Sequence, residues 1–313
     1  MSRKTVASAS AGKSWSPVQR IDTLAVIGVG LIGGSFALAL KAAGAVGRVI
    51  GVGRDPANIR RALDRGAIDT AQLDAGAAVD GADFVLVSAP VGAMPAIFER
   101  IALRLAPDTV VTDGGSTKMD VIGAARAALD EKIFHFVPGH PIAGSDESGA
   151  VAASASLYRG KEVVLTPLPE NQAGMIERVR AAWQACGARV TEMAPAEHDA
   201  ALAVVSHLPH LLSFALMHGI AQRADARGLL AHAGVGFRDF TRLAASNPEM
   251  WRDICLANRA ALLGELRRYQ DELALLGAML EQGDAKALQR ALEEARAARR
   301  AWAAQRGGPG VVD

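Results

Sequence analysis

Two polar segments of the sequence carry residues that could perform acid–base chemistry. The first, TDGGSTK, contains Ser116 and Lys118. The second, FVPGHPIAGSDESG, contains His140 between Gly139 and Pro141. Each segment follows an apolar run typical of a buried strand, and doubly wound sheets bind ligands beyond the carboxyl ends of their strands. We therefore expect His140 to lie on a partly exposed loop and to act as a general base near neutral pH, with a loop-bridging role as the alternative.

A later, helix-like region adds a second group of candidates. His207 and His210 stand three residues apart in VVSHLPH and share a helix face. A metal site would need a further ligand and a partner acid, and the sequence has no HExxH pattern, so no metal is expected. Arg238, Asp239 and Arg242 follow in GVGFRDFTR. Arginine suits bidentate capture of a carboxylate, and a surface ion pair with Asp239 is the alternative.

The strongest local pattern is the glycine loop TLAVIGVGLIGGSFALAL, in which Gly28, Gly30 and Gly33 have GxGxxG spacing. The loop follows a predicted strand and opens a predicted helix. The first glycine permits a tight turn, the second lets a pyrophosphate approach the backbone, and the third allows close helix–strand packing. The helix N-terminus then faces the phosphates. This pattern predicts a dinucleotide-binding site.

The end of the next predicted strand, GVGRD, indicates which nicotinamide dinucleotide is bound. An acid about 20 residues past the glycines usually holds the ribose 2′-hydroxyl of NAD. Gly53 stands near that position and Arg54 follows, a combination that admits and neutralises a 2′-phosphate. We favour NADP, whereas Asp55, one residue on, would favour NAD. The expected cofactor-binding residues are Gly28, Gly30, Leu31, Ile32, Gly33, Gly53, Arg54, Asp55, Ser88 and Pro90.

The elements that must position these residues alternate between strands and helices in the N-terminal half. Strands are predicted over Thr23–Ile27, Arg48–Val52, Phe84–Ser88, Thr109–Asp113 and Ile133–Pro138. Helices are predicted over Gly34–Ala43, Asn58–Arg65, Met94–Leu105 and Lys118–Leu129. Two further strands flank one helix, in the order Glu162–Thr166, Gln172–Cys186 and Arg189–Met193. This order predicts an α/β fold with a doubly wound, parallel, Rossmann-like sheet.

After residue 193 the strand patterns stop. Helices are predicted over Ala196–Ala221, Leu229–Ala244, Pro248–Gln282 and Ala285–Gln305, with Asp284 as an N-cap. Leucines and Tyr269 within residues 262–280 form a heptad seam, which suits either an internal bundle contact or dimerisation. We therefore expect a disordered extension over residues 1–20, a dinucleotide-binding domain over 21–193 and an all-helical substrate and dimerisation domain over 194–313.

Composition and charge exclude several classes of function. The 313 residues include 34 Lys and Arg against 33 Asp and Glu, and aromatic residues make up 4%. A near-neutral chain with few aromatics lacks the basic face and stacking platforms of nucleic-acid binders, so no nucleic-acid partner is expected. Two cysteines cannot form a disulfide framework.

Targeting patterns favour a cytoplasmic protein. Residues 1–20 are basic and rich in Ser and Ala, without the apolar segment of a secretory signal. A transit peptide has a similar composition, but a disordered extension is the simpler interpretation. The uncharged stretches Thr23–Leu40 and Ala200–Gln222 are interrupted by glycines or by His and Pro, which suits buried elements of a soluble protein better than a membrane span.

Taken together, these motifs resemble the prephenate/arogenate (cyclohexadienyl) dehydrogenase family of tyrosine biosynthesis. The segments that carry the resemblance are GVGLIGGS, TDGGSTK, GHPIAGSDESG, VVSHLPH and GFRDFTRLAASNPEMWRD. The resemblance implies an N-terminal dinucleotide-binding domain and a helical domain that forms a homodimer, which would place the heptad seam in the dimer interface. It also implies oxidative decarboxylation of prephenate to 4-hydroxyphenylpyruvate or of arogenate to tyrosine, with hydride transfer to NAD(P)+.

The resemblance further implies roles for individual residues. His140 matches the family's catalytic base, which takes the proton from the ring 4-hydroxyl. Ser116 matches its hydrogen-bonding partner near that hydroxyl and the nicotinamide. His210 and Arg242 match ligands of the substrate carboxylates. Asp146 stands where many members of the family carry Glu, and we expect it to help recognise the substrate side chain.

Two other functions compete with this one. A related hydroxyacid dehydrogenase or imine reductase would pair similar domains, but would place a catalytic Lys or Asp on the first long helix of the second domain, where this chain has SHLPH. A non-catalytic cofactor-binding sensor would have no chemical reason to keep Ser116, His140 and Arg242 together.

Overall fold

The computed structural model describes residues 20–144 and 147–306, so the predicted N-terminal extension lies outside the described residues except for Arg20. The described chain forms nine strands: β1 Ile21–Ile27, β2 Val46–Val52, β3 Thr70–Gln72, β4 Phe84–Val87, β5 Val110–Asp113, β6 Phe136–Val137, β7 Gly139–Ile142, β8 Glu162–Leu165 and β9 Arg189–Glu192. It forms thirteen α-helices: α1 Leu31–Ala42, α2 Pro56–Asp64, α3 Ala75–Val79, α4 Met94–Ala102, α5 Met119–Leu129, α6 Ala173–Ala185, α7 Pro195–Leu202, α8 Leu208–Ala221, α9 Ala226–Leu230, α10 Val235–Thr241, α11 Pro248–Ala257, α12 Arg259–Glu281 and α13 Ala285–Arg306.

Six of the strands form one parallel sheet in the order β3-β2-β1-β4-β5-β6. The strands β4 and β5 are buried along their whole length, as expected for a sheet covered by helices on both faces. Along β1, Leu24 and Val26 belong to one apolar core, whereas Ala25 and Ile27 belong to the other, because successive strand residues point to opposite faces. The predicted α/β, doubly wound, Rossmann-like fold is confirmed.

A second sheet holds the histidine that the sequence placed on a loop. The strand β7 pairs antiparallel with β8, which pairs parallel with β9. His140 lies opposite Val164 in this ladder, so it belongs to a strand. The expectation of a loop position is therefore wrong. The flanking Gly139 and Pro141 do not end the pairing here, since both residues also have partners on β8.

The strand predicted over Ile133–Pro138 is also wrong for most of its length. Asp130–His135 forms a 3-10 turn, and only the two residues of β6 pair with β5. The His135 ring donates from Nδ1 to the Thr109 carbonyl oxygen at 2.6 Å, which fixes the turn against the strand that starts nearby. A short apolar run without clear periodicity does not by itself distinguish these structures.

The predicted long helices are interrupted in three places. Ala203–His207 is a π-helical turn between α7 and α8. The helix predicted over Leu229–Ala244 separates into α9, α10 and the 3-10 turn Arg242–Ala245. Between α11 and α12, Asn258 leaves helical geometry with φ −99° and ψ 30°. The Asn258 side chain binds the backbone of α7, since its Nδ2 donates to the Asp199 carbonyl oxygen at 2.7 Å.

Two compact units divide the chain after Arg259, and the second begins at Ala260. The second unit contains the rest of α12 and α13, and there Asp284 accepts a hydrogen bond from the Ala287 amide at 2.9 Å, which confirms the predicted N-cap. The division after residue 193 stays a prediction.

Within the described residues, one helical stretch, Pro195–Ala221, has the length and apolar composition to cross a membrane. Core helices of globular proteins meet the same two criteria. This stretch contains the buried polar residues His198, Asp199 and His207. Such residues need partners within a protein, which favours a packed helix over a lipid-facing one.

Candidate active site

The glycine loop joins β1 to α1 in the geometry that its spacing predicts. Gly28 has a φ of +102°, and a Cβ there would lie 2.6 Å from the Ser88 carbonyl carbon, so only glycine fits. A Cβ at Gly33 would lie 2.3 Å from the Gly28 carbonyl oxygen. Gly30, by contrast, faces open space within 4 Å, and α1 begins at Leu31 without a side-chain cap. These features fit a pyrophosphate, which would meet an uncapped helix N-terminus and an accessible backbone.

The remaining predicted residues of this loop lie around it. Ser88 follows β4, and its Oγ donates to the Gly28 carbonyl oxygen at 2.7 Å, which braces the loop from the neighbouring strand. Leu31 and Ile32 form the partly exposed first turn of α1, and Pro90 is exposed beyond β4. All of them lie at the carboxyl edge of the parallel sheet, where this fold binds its ligands.

The end of β2 shows what Asp55 does. Its carboxylate accepts hydrogen bonds from the Ala57 amide at 2.9 Å and the Asn58 amide at 3.2 Å, and so it caps α2. The neighbouring Arg54 is exposed, and Gly53 is partly exposed. The acid of this segment is therefore engaged with the helix, while the exposed cation stands at the strand end.

One residue that the sequence did not single out connects the cofactor loop to the segment after β7. The Asn58 side chain donates from Nδ2 to the Val29 carbonyl oxygen at 2.6 Å and accepts from the Ala150 amide at 2.7 Å. Asn58 belongs to no motif, and its two partners lie 29 and 92 residues away in the sequence, so their proximity is a tertiary feature.

His140 is buried, with 9% of its surface exposed, rather than partly exposed as predicted. Its Nδ1 lies 2.8 Å from Nε2 of His198. Burial lowers the pKa of His140 well below its ordinary value, and the neighbouring His198, Lys118 and His207 lower it further. The ring is therefore neutral near pH 7, which is the protonation state that a general base requires.

The hydrogen-bond chain continues from His198 to Asp199 on α7. The Nδ1 atom of His198 lies 2.8 Å from Oδ1 of Asp199. The same carboxylate accepts hydrogen bonds from the amides of Lys118 at 2.8 Å and Met119 at 2.9 Å, at the start of α5. Burial raises the pKa of Asp199, but the hydrogen bonds from His198, Met119 and Lys118 outweigh burial and lower it overall. Neither residue lies in a recognisable motif, so neither is predicted as a site residue from the sequence.

A fully buried ion pair holds the turn that precedes α5. The Lys118 ammonium contacts the Asp113 carboxylate and donates to the Gly139 carbonyl oxygen at 2.6 Å. Asp113 also accepts hydrogen bonds from the amides of Gly115 at 2.8 Å and Gly139 at 2.9 Å. Burial raises the pKa of Asp113, and the charge of Lys118 opposes this effect. The pair links the end of β5 to the start of β7, one residue before His140.

Ser116 lies on this same turn and is half-buried. Its neighbour is His207, whose Nδ1 accepts a hydrogen bond from Asn258 Nδ2 at 3.1 Å. Burial lowers the pKa of His207 to about 4, and the Ser116 backbone opposes this shift. The neutral His207 ring therefore carries its proton on Nε2.

His210 lies one turn further along the helix. It donates from Nδ1 to the Ser206 carbonyl oxygen at 2.9 Å, and its ring stacks on Trp251 with centroids 3.6 Å apart and planes at 19°. Trp251 also meets His207 edge to face, with centroids 6.1 Å apart. Burial lowers the pKa of His210, the Ser206 carbonyl raises it, and the charge of Arg242 lowers it. The charge of Arg242 therefore acts on His210, and the role of both residues as ligands of one anion stays a prediction.

The other predicted residues of this region have different positions. Arg242 is exposed at the first position of its 3-10 turn. Of the two arginines, Arg238 forms the surface ion pair with Asp239, with Nε and Oδ1 3.9 Å apart. Asp146 lies outside the described residues. The described residues contain no group of three His, Cys, Asp or Glu side chains that could hold a metal ion.

A doubly wound sheet with a glycine loop, and a buried neutral histidine at its carboxyl edge, define a dinucleotide-dependent dehydrogenase. The family model described as "Prephenate dehydrogenase, nucleotide-binding domain" matches residues 36–192. The model described as "Prephenate dehydrogenase, dimerization domain" matches residues 194–294. The chain therefore belongs to the prephenate dehydrogenase family, and it is an enzyme that uses a nicotinamide dinucleotide.

Individual relatives agree with this assignment. The chain is 34% identical over 280 residues to a prephenate dehydrogenase of Bacillus subtilis (strain 168), covering 89% of this chain and 75% of that one. It is 34% identical to a cyclohexadienyl dehydrogenase of Zymomonas mobilis, covering 88% and 94%. The crystal structure of prephenate dehydrogenase from A. aeolicus in complex with hydroxyphenyl propionate and NAD+ superimposes with a TM-score of 0.84, at 34% identity, over 92% of this chain and 99% of that one.

Proposed function

We propose that this enzyme catalyses the oxidative decarboxylation of prephenate to 4-hydroxyphenylpyruvate, or of arogenate to tyrosine, in tyrosine biosynthesis. The observation that carries the proposal is the buried His140 at the sheet edge that also holds the glycine loop. Its pKa lies well below the ordinary value because it is buried, so the ring is unprotonated at neutral pH, as a general base must be.

In this mechanism His140 takes the proton of the ring 4-hydroxyl group. Loss of that proton raises the electron density at C4 and favours departure of hydride from this carbon. The nicotinamide, when bound, supplies the hydride acceptor. The ring carboxylate leaves as CO2, and the electron pair of the broken C–C bond makes the ring aromatic. The phenolate oxygen then takes the proton back from His140, and the loss of CO2 makes the reaction effectively irreversible. Ser116, on the turn fixed by the Lys118–Asp113 pair, would donate a hydrogen bond near the 4-hydroxyl and the nicotinamide.

The substrate carries carboxylates, and a chain with a net charge of +1 must bind them through local cations. We assign this role to Arg242 and His210. The stacking of His210 on Trp251 and its hydrogen bond to Ser206 fix the ring orientation, and the Nε2–H of the protonated ring would donate to the substrate carboxylate. Asp146, outside the described residues, stays our candidate for recognising the keto or amino group of the side chain.

For the cofactor we propose NADP, with NAD as the alternative. The support comes from the end of β2, where Asp55 uses both carboxylate oxygens to cap α2 and Arg54 is exposed. An acid engaged in this way is less available to a ribose 2′-hydroxyl, whereas an exposed arginine suits a 2′-phosphate.

The enzyme would work as a cytoplasmic homodimer joined through its helical part, residues 194–313. The heptad seam supports this proposal, because Leu273 and Leu280 are 52% and 66% exposed in the single chain. Side chains of this size at seam positions gain most by packing against a second helix. Membranes and nucleic acids are not among the proposed partners.

The test is a two-by-two measurement of initial rates with prephenate or arogenate and NADP+ or NAD+. Activity in any combination supports the proposed reaction, and the ratios decide both specificities. A purified protein that binds cofactor but turns over neither substrate would contradict the proposal and favour a sensor or a related dehydrogenase. Sedimentation of the same preparation tests the dimer.

A further inference from the structure

We propose that His198 and Asp199 are positioning residues for the catalytic base, and that they determine which ring nitrogen of His140 receives the proton. The proposal rests on the proposed function, since it assumes that His140 accepts the proton of the substrate hydroxyl. It concerns two residues that lie outside every motif described above and that act through His140.

The Asp199 carboxylate is ionised in this arrangement. Its carboxylate accepts three hydrogen bonds, from the amides of Lys118 and Met119 and from the His198 ring. A carboxylate that accepts this many donors stays ionised and can only accept. The carboxylate therefore requires a proton on Nδ1 of His198, which lies 2.8 Å from Oδ1.

The proton on Nδ1 of His198 also determines where His140 carries its proton. A neutral His198 with its proton on Nδ1 has a lone pair on Nε2, because a neutral imidazole carries one proton. That lone pair lies 2.8 Å from Nδ1 of His140, which must therefore be the donor of this hydrogen bond. His140 then carries its own proton on Nδ1 and keeps a lone pair on Nε2. This is the tautomer that can remove a proton from a substrate.

The proton transfer creates a positive charge on His140. When the hydroxyl proton moves to Nε2, the O–H bond breaks, an N–H bond forms, and His140 becomes an imidazolium with protons on both nitrogens. The titratable or charged groups that act on it are His198, Lys118 and His207, and Lys118 is paired with Asp113. Lys118 repels the new charge. Asp199, two hydrogen bonds away, is the anion that offsets it through His198.

The fold makes this arrangement rigid. Asp199 is tied to the start of α5 through two amides, and its own carbonyl oxygen accepts a hydrogen bond from Asn258 at 2.7 Å. His198 has no exposed surface, and its ring meets that of His140 edge to face, with centroids 5.0 Å apart. The strand β7 and the helix α7 therefore present the two imidazoles to each other in one fixed geometry.

The test compares two substitutions at His198. His198→Leu removes the acceptor, so kcat should fall by at least about tenfold, while KM for substrate and cofactor stays within about threefold, because only the tautomer of the base is affected. His198→Gln places an amide oxygen near the former Nε2 position and should recover most of the lost kcat. A purely structural role would instead change KM or stability and would not distinguish Gln from Leu in kcat.

His135→Gln is the matched control. His135 is also buried and also donates from Nδ1 to a single acceptor, the Thr109 carbonyl oxygen, but it lies away from the site. We expect this variant to keep its kcat, and thermal unfolding of all three variants reports how much stability each substitution costs.

A measurement on the unaltered protein does not depend on how the variants fold. The chain has seven histidines, and 15N-labelled imidazoles report which nitrogen carries the proton. We expect His140, assigned by the loss of its signals in His140→Asn, to be protonated on Nδ1 and bare on Nε2. Protonation on Nε2 in the resting enzyme would overturn the proposal.

The outcomes separate this proposal from the proposed function. If His140→Asn abolishes turnover while His198→Leu retains full kcat, the base stands and the positioning role is wrong. If His140→Asn retains turnover, the assignment of the base itself fails. Low kcat in His198→Leu, recovery in His198→Gln and the Nδ1-protonated tautomer together support the proposal.

Discussion

The buried ammonium of Lys118 donates a hydrogen bond to the carbonyl oxygen of Gly139, 2.6 Å away, and Gly139 directly precedes His140. This contact connects two segments that are 21 residues apart in the sequence. Since Lys118 also pairs with Asp113, the residue before His140 is held by an ion pair without exposed surface. The cost of breaking such a pair is therefore large.

Lys118→Met should destabilise the protein by about 3–5 kcal/mol, because it leaves the Asp113 carboxylate buried without its cation. Urea denaturation measures this change. Lys132→Met is the control, since Lys132 is only half-buried and donates to a carbonyl oxygen, that of Ala102, at 2.8 Å. A loss of stability in Lys118→Met no larger than in the control would contradict the role assigned to the pair.

His140→Asn should lower kcat by about a hundredfold to ten-thousandfold, because asparagine occupies similar space but cannot take the proton. Cofactor affinity should stay unchanged, since the glycine loop is not involved. Steady-state rates and a cofactor titration on the same sample measure both quantities. Unchanged turnover would remove His140 from the mechanism.

Arg242→Gln should mainly raise KM for the substrate, because it removes a cation that holds a carboxylate in both the ground state and the transition state. Arg238→Gln is a suitable control, since Arg238 is exposed and paired with Asp239. If Arg242→Gln changes only the cofactor affinity, the position of the substrate site is wrong.

Arg54→Ala should weaken NADP+ binding and leave NAD+ binding nearly unchanged, because only NADP+ carries the 2′-phosphate that the guanidinium would meet. The ratio of kcat/KM for the two cofactors measures this effect. Arg104→Ala serves as the control, since Arg104 is exposed between α4 and the amino end of β5 and is paired with Asp80. Equal losses for both cofactors would argue against a 2′-phosphate contact.

The stability of the enzyme should decrease as the pH falls from about 6.5 towards 4. Burial lowers the pKa of His207 to about 4 in the folded chain, so between these values only the unfolded chain binds the proton. Above the pKa of the unfolded chain, His207 leaves the free energy of unfolding at its full value. On acidification this group lowers the free energy of unfolding, by about 3 kcal/mol at most. In His207→Gln, urea denaturation across this range should show a shallower pH dependence, whereas an unchanged slope would show that His207 is not a source of it.

Much of the fold could be predicted because local patterns specify it. The glycine loop and the buried strands β1, β2, β4 and β5 follow from glycine spacing and apolar runs of the right length. The secondary-structure predictions are wrong where residues distant in the sequence determine the local conformation. His140 lies in a strand because β8 pairs with it, and the helix predicted through Asn258 is interrupted where the Asn258 side chain bonds to the Asp199 backbone.

The site could be predicted only as far as its motifs extend. Ser116, His140, His210 and Arg242 stand in patterned segments. His198, by contrast, lies 58 residues from His140 in the sequence, and its neighbourhood AEHDAAL resembles any amphipathic helix. His198 reaches His140 only because α7 packs against the β5–α5 turn. No spacing rule within one sequence predicts that contact.

The helix cap at Asp55 has a consequence for how this enzyme can evolve. Adjacent residues divide two tasks, since Asp55 starts α2 while Arg54 contributes only an exposed charge. Mutations at position 54 can thus change that charge without loss of the helix. If Arg54 meets the 2′-phosphate as proposed, a substitution at this one position would change the preference between the two cofactors and leave the cap of α2 in place.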